Sequence, residues 1–202
     1  MKRIIELFFA FLAILFFIPL FLVISLLIVI GSKGGVIYKQ SRVGKNNHDF
    51  FIYKFRSMHI NADREGLITT GSSDKRITRT GVFLRKYKLD ELPQLFNILN
   101  GEMSFVGPRP EVRKYVDLYT DLQLKVLTVR PGLTDYASLL YINEGEILAK
   151  HENPEKLYVE EIMPAKLVLN LKYIKEKNLK TDLQIILKTI GRIISGFIPF
   201  HS

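Results

Sequence analysis

The 202-residue chain has no cysteine. That excludes disulfide staples, thiol nucleophiles and cysteine-held metal. It fits a cytosolic or membrane-associated setting better than a small secreted scaffold. The chain also has no internal repeat, no low-complexity tract and no GxxxxGK phosphate loop. Acidic residues are in short supply: 20 Asp and Glu face 29 Lys and Arg, for a formal charge of +9. Such a surface favours anionic partners, whether nucleic acid, phosphorylated small molecules or an acidic lipid leaflet. The length suits one ordinary domain with some chain left over.

Charge is missing altogether from Leu7 to Ile30, a run of 24 residues. About 20 helical residues cross a hydrocarbon core roughly 30 Å thick, so the run is long enough to span. A signal peptide would have a shorter apolar region and a small-residue cleavage site. Here Gly31-Ser32-Lys33-Gly34-Gly35 follows, without an A-x-A pattern. Pro19 divides the run into arms of about a dozen residues, roughly 18 Å each, and neither arm crosses alone. Lys2 and Arg3 precede the run, and Lys33, Lys39, Arg42 and Lys45 follow it. Positive flanks prefer the cytoplasmic side. Two topologies satisfy these facts, a re-entrant helix and a kinked span. In both, residues 1–32 are the membrane segment and residues 33–202 form a cytoplasmic domain.

In the soluble part, VIYKQ and FFIYKFR read as two short strands joined through Gly44-Lys45-Asn46-Asn47. Lys54 and Arg56, two apart, should project from one face of the second strand. Residues 59–80 are polar and read as a long loop. A short helix over about Gly81–Tyr87 leads to a second that starts at Asp90 and stops at Asn100-Gly101. A third should cover Lys156–Lys177, with Pro164 as its weak point. Pro108-Arg109-Pro110 holds an arginine on stiff backbone, and Arg130-Pro131-Gly132 makes another rigid turn. Near the C-terminus Leu183, Ile186, Leu187, Ile190, Ile193, Ile194 and Phe197 fall at helical spacing, with Gln184, Lys188 and Arg192 opposite. That pattern suits either a core helix or a helix lying in a membrane interface. The fold class expected is α+β, mainly α: a membrane helix, a small β-hairpin and amphipathic helices at the membrane surface.

The chemistry concentrates in KLDELPQLFNIL, residues 88–99. Asp90 is placed to cap a helix, with Pro93 tolerated in the first turn. The same helix start would also bind phosphate, and its dipole and Arg85 would keep Asp90 ionised. An ionised carboxylate beside a phosphate can attack phosphorus and form an acyl-phosphate. Repulsion between the two anions must then be offset, which calls for Mg²⁺ held by carboxylate and phosphate oxygens, with arginines around the site. Adjacent residues point apart on a helix, so Asp90 and Glu91 can divide the work.

Three stretches now combine: GGVIYKQSRVGKNNHDFFIYKFRSM, LRKYKLDELPQLFNILNGEMSFVGPRP and VRPGLTDYASL. With the proline-broken apolar helix they resemble the bacterial sugar transferase family, the monotopic phosphoglycosyl transferases, along nearly the whole chain. The resemblance implies a re-entrant helix and an Mg²⁺-dependent active site on the cytoplasmic face of the bacterial inner membrane. It implies transfer of a sugar 1-phosphate from a UDP-sugar to undecaprenyl phosphate, with UMP released and a lipid-linked glycan begun. The family's Asp-Glu dyad falls on Asp90 and Glu91, both catalytic and metal-binding, with Asp90 attacking the β-phosphorus. Lys54, Arg56, Arg85, Arg109 and Arg130 are the substrate-binding candidates. Membrane lipid is a further partner, nucleic acid is not, and a homodimer stays open.

The chain departs from the family pattern in three places. Ile18-Pro19 stands where many members have Ser-Pro, and Glu6 stands where an aspartate is common. TDYASL replaces the commoner TGWAQV, so no sugar is carried over. Two other functions compete: a direct glycosyltransferase, which would release UDP, and a membrane-tethered basic binding module, which would release neither nucleotide.

Overall fold

The computed structural model describes residues 2–66, 68–71 and 74–195. Helix α1 (Lys2–Gly31) takes in the whole uncharged run and continues through Pro19. By length and composition it could cross a membrane. It nonetheless lies along the rest of the chain. Glu6, Ala10, Ile24 and Ile28 are its buried side chains, and their spacings are near whole numbers of turns, so they share one face. Ala10 packs with Ile52, Leu95, Ile98 and Met103, while Ile24 and Ile28 pack with Phe55 and Leu84. The arms before and after Pro19 therefore rest on one body. The outer face leaves Phe8, Phe9, Phe16, Leu22, Leu26 and Ile30 exposed.

Both ends of α1 are tied down. Lys2 Nζ lies 2.7 Å from the buried Asp182 carboxylate. Arg3 donates to the carbonyls of Met103, at 3.0 Å, and of Ile98. At the far end Arg56 donates to the carbonyl of Ser32, at 2.9 Å, and to that of Lys33. These contacts tie α1, and the residues that directly follow it, to the segments that carry Ile98, Met103 and Arg56.

Strands β1 (Ile37–Val43) and β2 (Asp49–Phe55) form the expected antiparallel hairpin, with Tyr38 opposite Lys54. Its turn uses Asn46 and Asn47 at φ 56° and 63°, a left-handed conformation that asparagine tolerates. Helix α2 (Arg79–Lys86) is capped by Thr78 and leads to a 3-10 turn, Leu89–Glu91. Helix α3 (Gln94–Leu99) follows and ends at Asn100 and a left-handed Gly101, as the sequence predicts.

Two three-residue strands, β3 (Ser104–Val106) and β4 (Gly132–Thr134), pair in parallel. Strands this short carry no readable period in the sequence. They flank helices α4 (Arg113–Val116) and α5 (Asp121–Leu124) and are followed by α6 (Tyr136–Leu140), α7 (Glu144–Ala149) and α8 (Pro154–Leu157). A π-turn, Tyr158–Ile162, joins α8 to α9 (Met163–Glu176) just before Pro164. Pro164 has no N–H to give the preceding turn, and the wider turn absorbs that loss. Val112, Tyr115, Val126, Leu148, Tyr158, Ile162, Met163 and Leu167 form the core of this part.

Helix α10 (Leu179–Ser195) presents three faces rather than two. Asp182 and Ile185 are buried, while Leu183, Leu187, Ile190 and Ile194 form a separate exposed apolar row. Phe197, which continues the sequence pattern, lies outside the described residues.

Candidate active site

Lys88 turns the chain out of α2 in the left-handed region, at φ 56°, and so sets the 3-10 turn that carries Asp90 and Glu91. A non-glycine residue held there costs conformational energy that the surrounding packing must over-determine. This geometry corrects the helix-cap reading of Asp90. Helix α3 begins at Gln94, four residues later, and no side chain makes a cap bond to it. Asp90 instead turns inward, 6% exposed, with Oδ1 buried and unpartnered among the described residues.

Burial raises the Asp90 pKa, and the charge of Glu91 raises it further, against the pull of Lys54, Arg85 and Lys88. The expected pull of Arg85 toward the Asp90 anion is present, but it does not set the direction of the shift. The helix start is displaced from it, and burial outweighs the cations.

Glu91 moves the other way. Arg109 grips it with both arms of its guanidinium: Nη1 donates to Oε2 at 3.1 Å and Nη2 to Oε1. Lys54 Nζ is 3.9 Å from the same Oε1. Burial alone would push Glu91 up, but the charges of Arg109, Lys54 and Lys88 hold its carboxyl far below the usual range. Burial in turn lowers Lys54 to about 8, in spite of Glu91. Arg109 keeps its proton all the more firmly, chiefly through Glu91. Two neighbouring carboxyls thus have opposite tendencies, which suits separate roles in one reaction.

Two supports bring the cations here. Asn97, fully buried, accepts from the Tyr53 amide at 3.0 Å and donates to the Phe51 carbonyl at 2.7 Å. That fastens α3 to β2 and sets Lys54 beside Glu91. Arg109 arrives through the β3–β4 pair, which fixes the turn that follows β3. Gly132 lies so close to Gly107 that a Cβ would press into its backbone. Asp135, fully buried, accepts the Arg109 amide N–H at 3.1 Å through Oδ2.

The remaining candidates are placed differently. Arg85 is half-buried and acts on Asp90 by charge, without a hydrogen bond to it. Arg56 does not share a face with Lys54 at the dyad, because β2 ends at Phe55 and its guanidinium turns to the end of α1. Arg130 is exposed and donates to the Gly101 carbonyl, at the opposite end of α3 from the dyad. Asp135, Asn97 and Lys88 are the contributors that the sequence pattern does not single out for the site. Asp135 had one local signal, its place before the short helix in TDYASL.

Among the described residues no group of three or more His, Cys, Asp or Glu could hold a metal by itself. Mg²⁺ does not require one: it takes one or two carboxylates and completes its shell with water and phosphate oxygens. The unpartnered Asp90 Oδ1 beside a second carboxylate fits that donor set.

The arrangement joins a buried carboxyl, one oxygen of which has no hydrogen-bond partner among the described residues, to a second one pinned as an anion, with Lys54, Arg85, Lys88 and Arg109 nearby. It is suited to receiving a phosphorylated ligand and attacking it.

Comparison with known proteins agrees in kind. The family described as "Bacterial sugar transferase" matches residues 1–196. A UDP-N-acetylgalactosamine-undecaprenyl-phosphate N-acetylgalactosaminephosphotransferase of Aeromonas hydrophila is 39% identical over 200 residues, 97% of this chain and 44% of that protein. A UDP-glucose:undecaprenyl-phosphate glucose-1-phosphate transferase of Xanthomonas campestris pv. campestris is 36% identical over 180 residues, 87% of this chain and 35% of that protein. The exopolysaccharide production protein ExoY of Rhizobium meliloti is 35% identical over 207 residues, 95% of this chain and 84% of that protein. The chain spans less than half the length of the first two of these relatives.

Proposed function

The chain belongs to the bacterial sugar transferase family, and from that premise we propose that it transfers a sugar 1-phosphate from a UDP-sugar to undecaprenyl phosphate. The observation that carries the reading is the dyad turn: Asp90 buried with a free oxygen, next to Glu91 pinned by Arg109 and Lys54. Asp90, once deprotonated, attacks the β-phosphorus of the donor. The phosphoanhydride bond breaks, UMP leaves with the electron pair, and a phosphosugar–aspartate remains. The phosphate oxygen of the polyprenyl phosphate then attacks the same phosphorus and restores the Asp90 carboxylate. Each half-reaction exchanges one P–O bond for another.

Within this reading Arg109 and Lys54 serve two masters. They hold Glu91 as an anion and face the position a diphosphate must take, where charge-assisted contacts are strongest. Arg85 and Lys88 add positive potential around Asp90. Asp90 and Glu91 would hold Mg²⁺, which neutralises part of the donor's charge when bound. The names of the relatives cover N-acetylgalactosamine and glucose donors, and for this chain the proposal stops at a UDP-sugar.

The same reading places α1 in one leaflet. A helix of 30 residues is about 45 Å long, more than the roughly 30 Å of a hydrocarbon core. Spanning would carry Lys2 and Arg3 to the far side, away from Asp182, Ile98 and Met103, which they touch. Both arms pack on the soluble body, which favours entering and leaving on the same side. Basic flanks make that side the cytoplasm. The exposed apolar row of α10 lies on the membrane surface in this arrangement.

The test is nucleotide release from a panel of UDP-sugars, with Mg²⁺ and polyprenyl phosphate. Release of UMP supports the reading. Release of UDP would make the chain a direct glycosyltransferase, and release of neither nucleotide would leave it a binding module.

A further inference from the structure

TDYASL, residues 134–139, supplies a carboxylate that accepts the Arg109 amide. We propose that Asp135 is a positioning residue for Arg109, fixing the backbone from which the guanidinium reaches Glu91. The inference rests on the reading of Arg109 given above, and goes beyond it by naming what aims that arginine.

Both carboxylate oxygens are in use. Oδ2 accepts the Arg109 amide at 3.1 Å, and Oδ1 accepts the Ser138 amide at 2.6 Å in the first turn of α6. Capping α6 explains only the second bond, and a serine or asparagine would serve for that. The first has a different purpose. Arg109 stands between Pro108 and Pro110, neither of which has an N–H. Its own amide is therefore the one backbone donor in that three-residue stretch, and Asp135 takes it. The β3–β4 ladder holds the flanks, through Gly107 N–H on the Thr134 carbonyl and Gly132 N–H on the Pro108 carbonyl. Asp135 holds the arginine itself.

The side chain that starts from this anchored backbone is long, so a small rotation there becomes a large displacement at the guanidinium. A two-pronged bond to Glu91 does not tolerate that, since productive geometry must be kept to within about 0.5 Å. The charge is also suited to the place. Asp135 is fully buried and acts on Arg109 by charge as well as through its backbone.

Two variants in the full chain test the proposal: Asp135→Asn and Asp135→Ser. Both can still cap α6, but neither can accept both amides. Each should stay folded, with a lowered melting temperature because the Arg109 amide loses its partner, and should lower kcat by about tenfold, within the range of coupled neighbours in one network. The loss should disappear once Arg109 is absent. In an Arg109→Ala background, Asp135→Asn should cost less than about twofold further, because positioning has nothing left to position. Equal losses in both backgrounds would overturn the proposal and leave Asp135 a purely structural cap.

Hydrogen exchange supplies a readout independent of turnover. The Arg109 amide should exchange slowly in the wild type and much faster in both variants, with Ser138 still protected. A rapidly exchanging Arg109 amide in the wild type would overturn the proposal whatever the activity. Full activity in Arg109→Ala would instead sink the role assigned to Arg109 in the reaction, and the exchange rates would still decide whether Asp135 holds it.

Discussion

Arg109 reaches back 18 positions to grip Glu91 with both arms of its guanidinium, one of them at 3.1 Å. The pair converts a buried carboxyl into a fixed anion and ties the turn after β3 to the dyad. Lysine cannot reproduce the fork. Arg109→Lys should therefore lose a charge-assisted bond worth roughly 1.5–3 kcal/mol, or about one to two orders of magnitude in kcat/KM. Arg109→Ala should be worse, because it leaves Glu91 buried with Lys54 as its remaining close cation, at 3.9 Å, and only the more distant charge of Lys88 besides. UMP-release kinetics measure both, and an unimpaired lysine variant would reduce Arg109 to a structural part of its turn.

The raised pKa of Asp90 and the lowered pKa of Lys54 predict a bell-shaped pH profile. Asp90 must lose its proton before it attacks, and burial, with the charge of Glu91, moves the acid limb to higher pH than an unperturbed aspartate would give. Lys54, lowered to about 8, should set an alkaline limb near that pH as its charge is lost. The signs follow. Lys54→Met removes a cation that favours the Asp90 anion, so the acid limb moves to higher pH. Lys54→Arg keeps the charge, so the alkaline limb disappears. A profile of kcat/KM against pH that is the same in all three proteins would remove Lys54 from the mechanism.

What the sequence shows of this site is what is local. The hairpin, the stop of α3 at Asn100-Gly101 and the adjacent Asp90 and Glu91 follow from turn residues, period and juxtaposition. The Glu91–Arg109 pair does not, because no short-range pattern links residues 18 apart. Asp90 looked like a helix cap because Pro93 suggests a first turn. Lys88 in a left-handed conformation instead inserts a 3-10 turn and moves the helix start to Gln94. Arg56 looked like a companion of Lys54 through strand alternation, which fails where β2 ends one residue earlier. The apolar row of α10 was visible as a row. The buried face beside it, at Asp182 and Ile185, depends on tertiary contacts, with Asp182 joined to Tyr173.

Gly132→Ala probes the ladder beneath the site. An added methyl would meet the backbone of Gly107, which cannot rotate away as a side chain could. Overpacking of this kind typically costs about 1–3 kcal/mol. Thermal melting should show the loss, with activity falling further because the Arg109 turn shifts with the strand. A variant as stable and active as the wild type would mean that this close approach is dispensable.

Topology is open to a clean chemical test because the chain has no cysteine of its own. A short hydrophilic extension carrying one cysteine, added ahead of Met1, places the thiol in water and leaves the Lys2–Asp182 pair intact. A membrane-impermeant maleimide should label it in inside-out vesicles and fail to label it in sealed right-side-out cells. The reverse pattern would mean that α1 spans the bilayer.

The central claim is that Asp90 forms a bond to the phosphosugar. Asp90→Asn separates this from a structural role, since asparagine fills the same space and a neutral amide is a very poor nucleophile toward phosphorus. The deciding measurement is the intact mass of the protein after incubation with its UDP-sugar and Mg²⁺ in the absence of polyprenyl phosphate. The wild type should gain the mass of one sugar phosphate, release an equivalent of UMP, and lose the added mass when the lipid acceptor is supplied. Asp90→Asn, folded and membrane-bound, should gain nothing. An adduct on Asp90→Asn, or full turnover by it, would contradict the covalent mechanism.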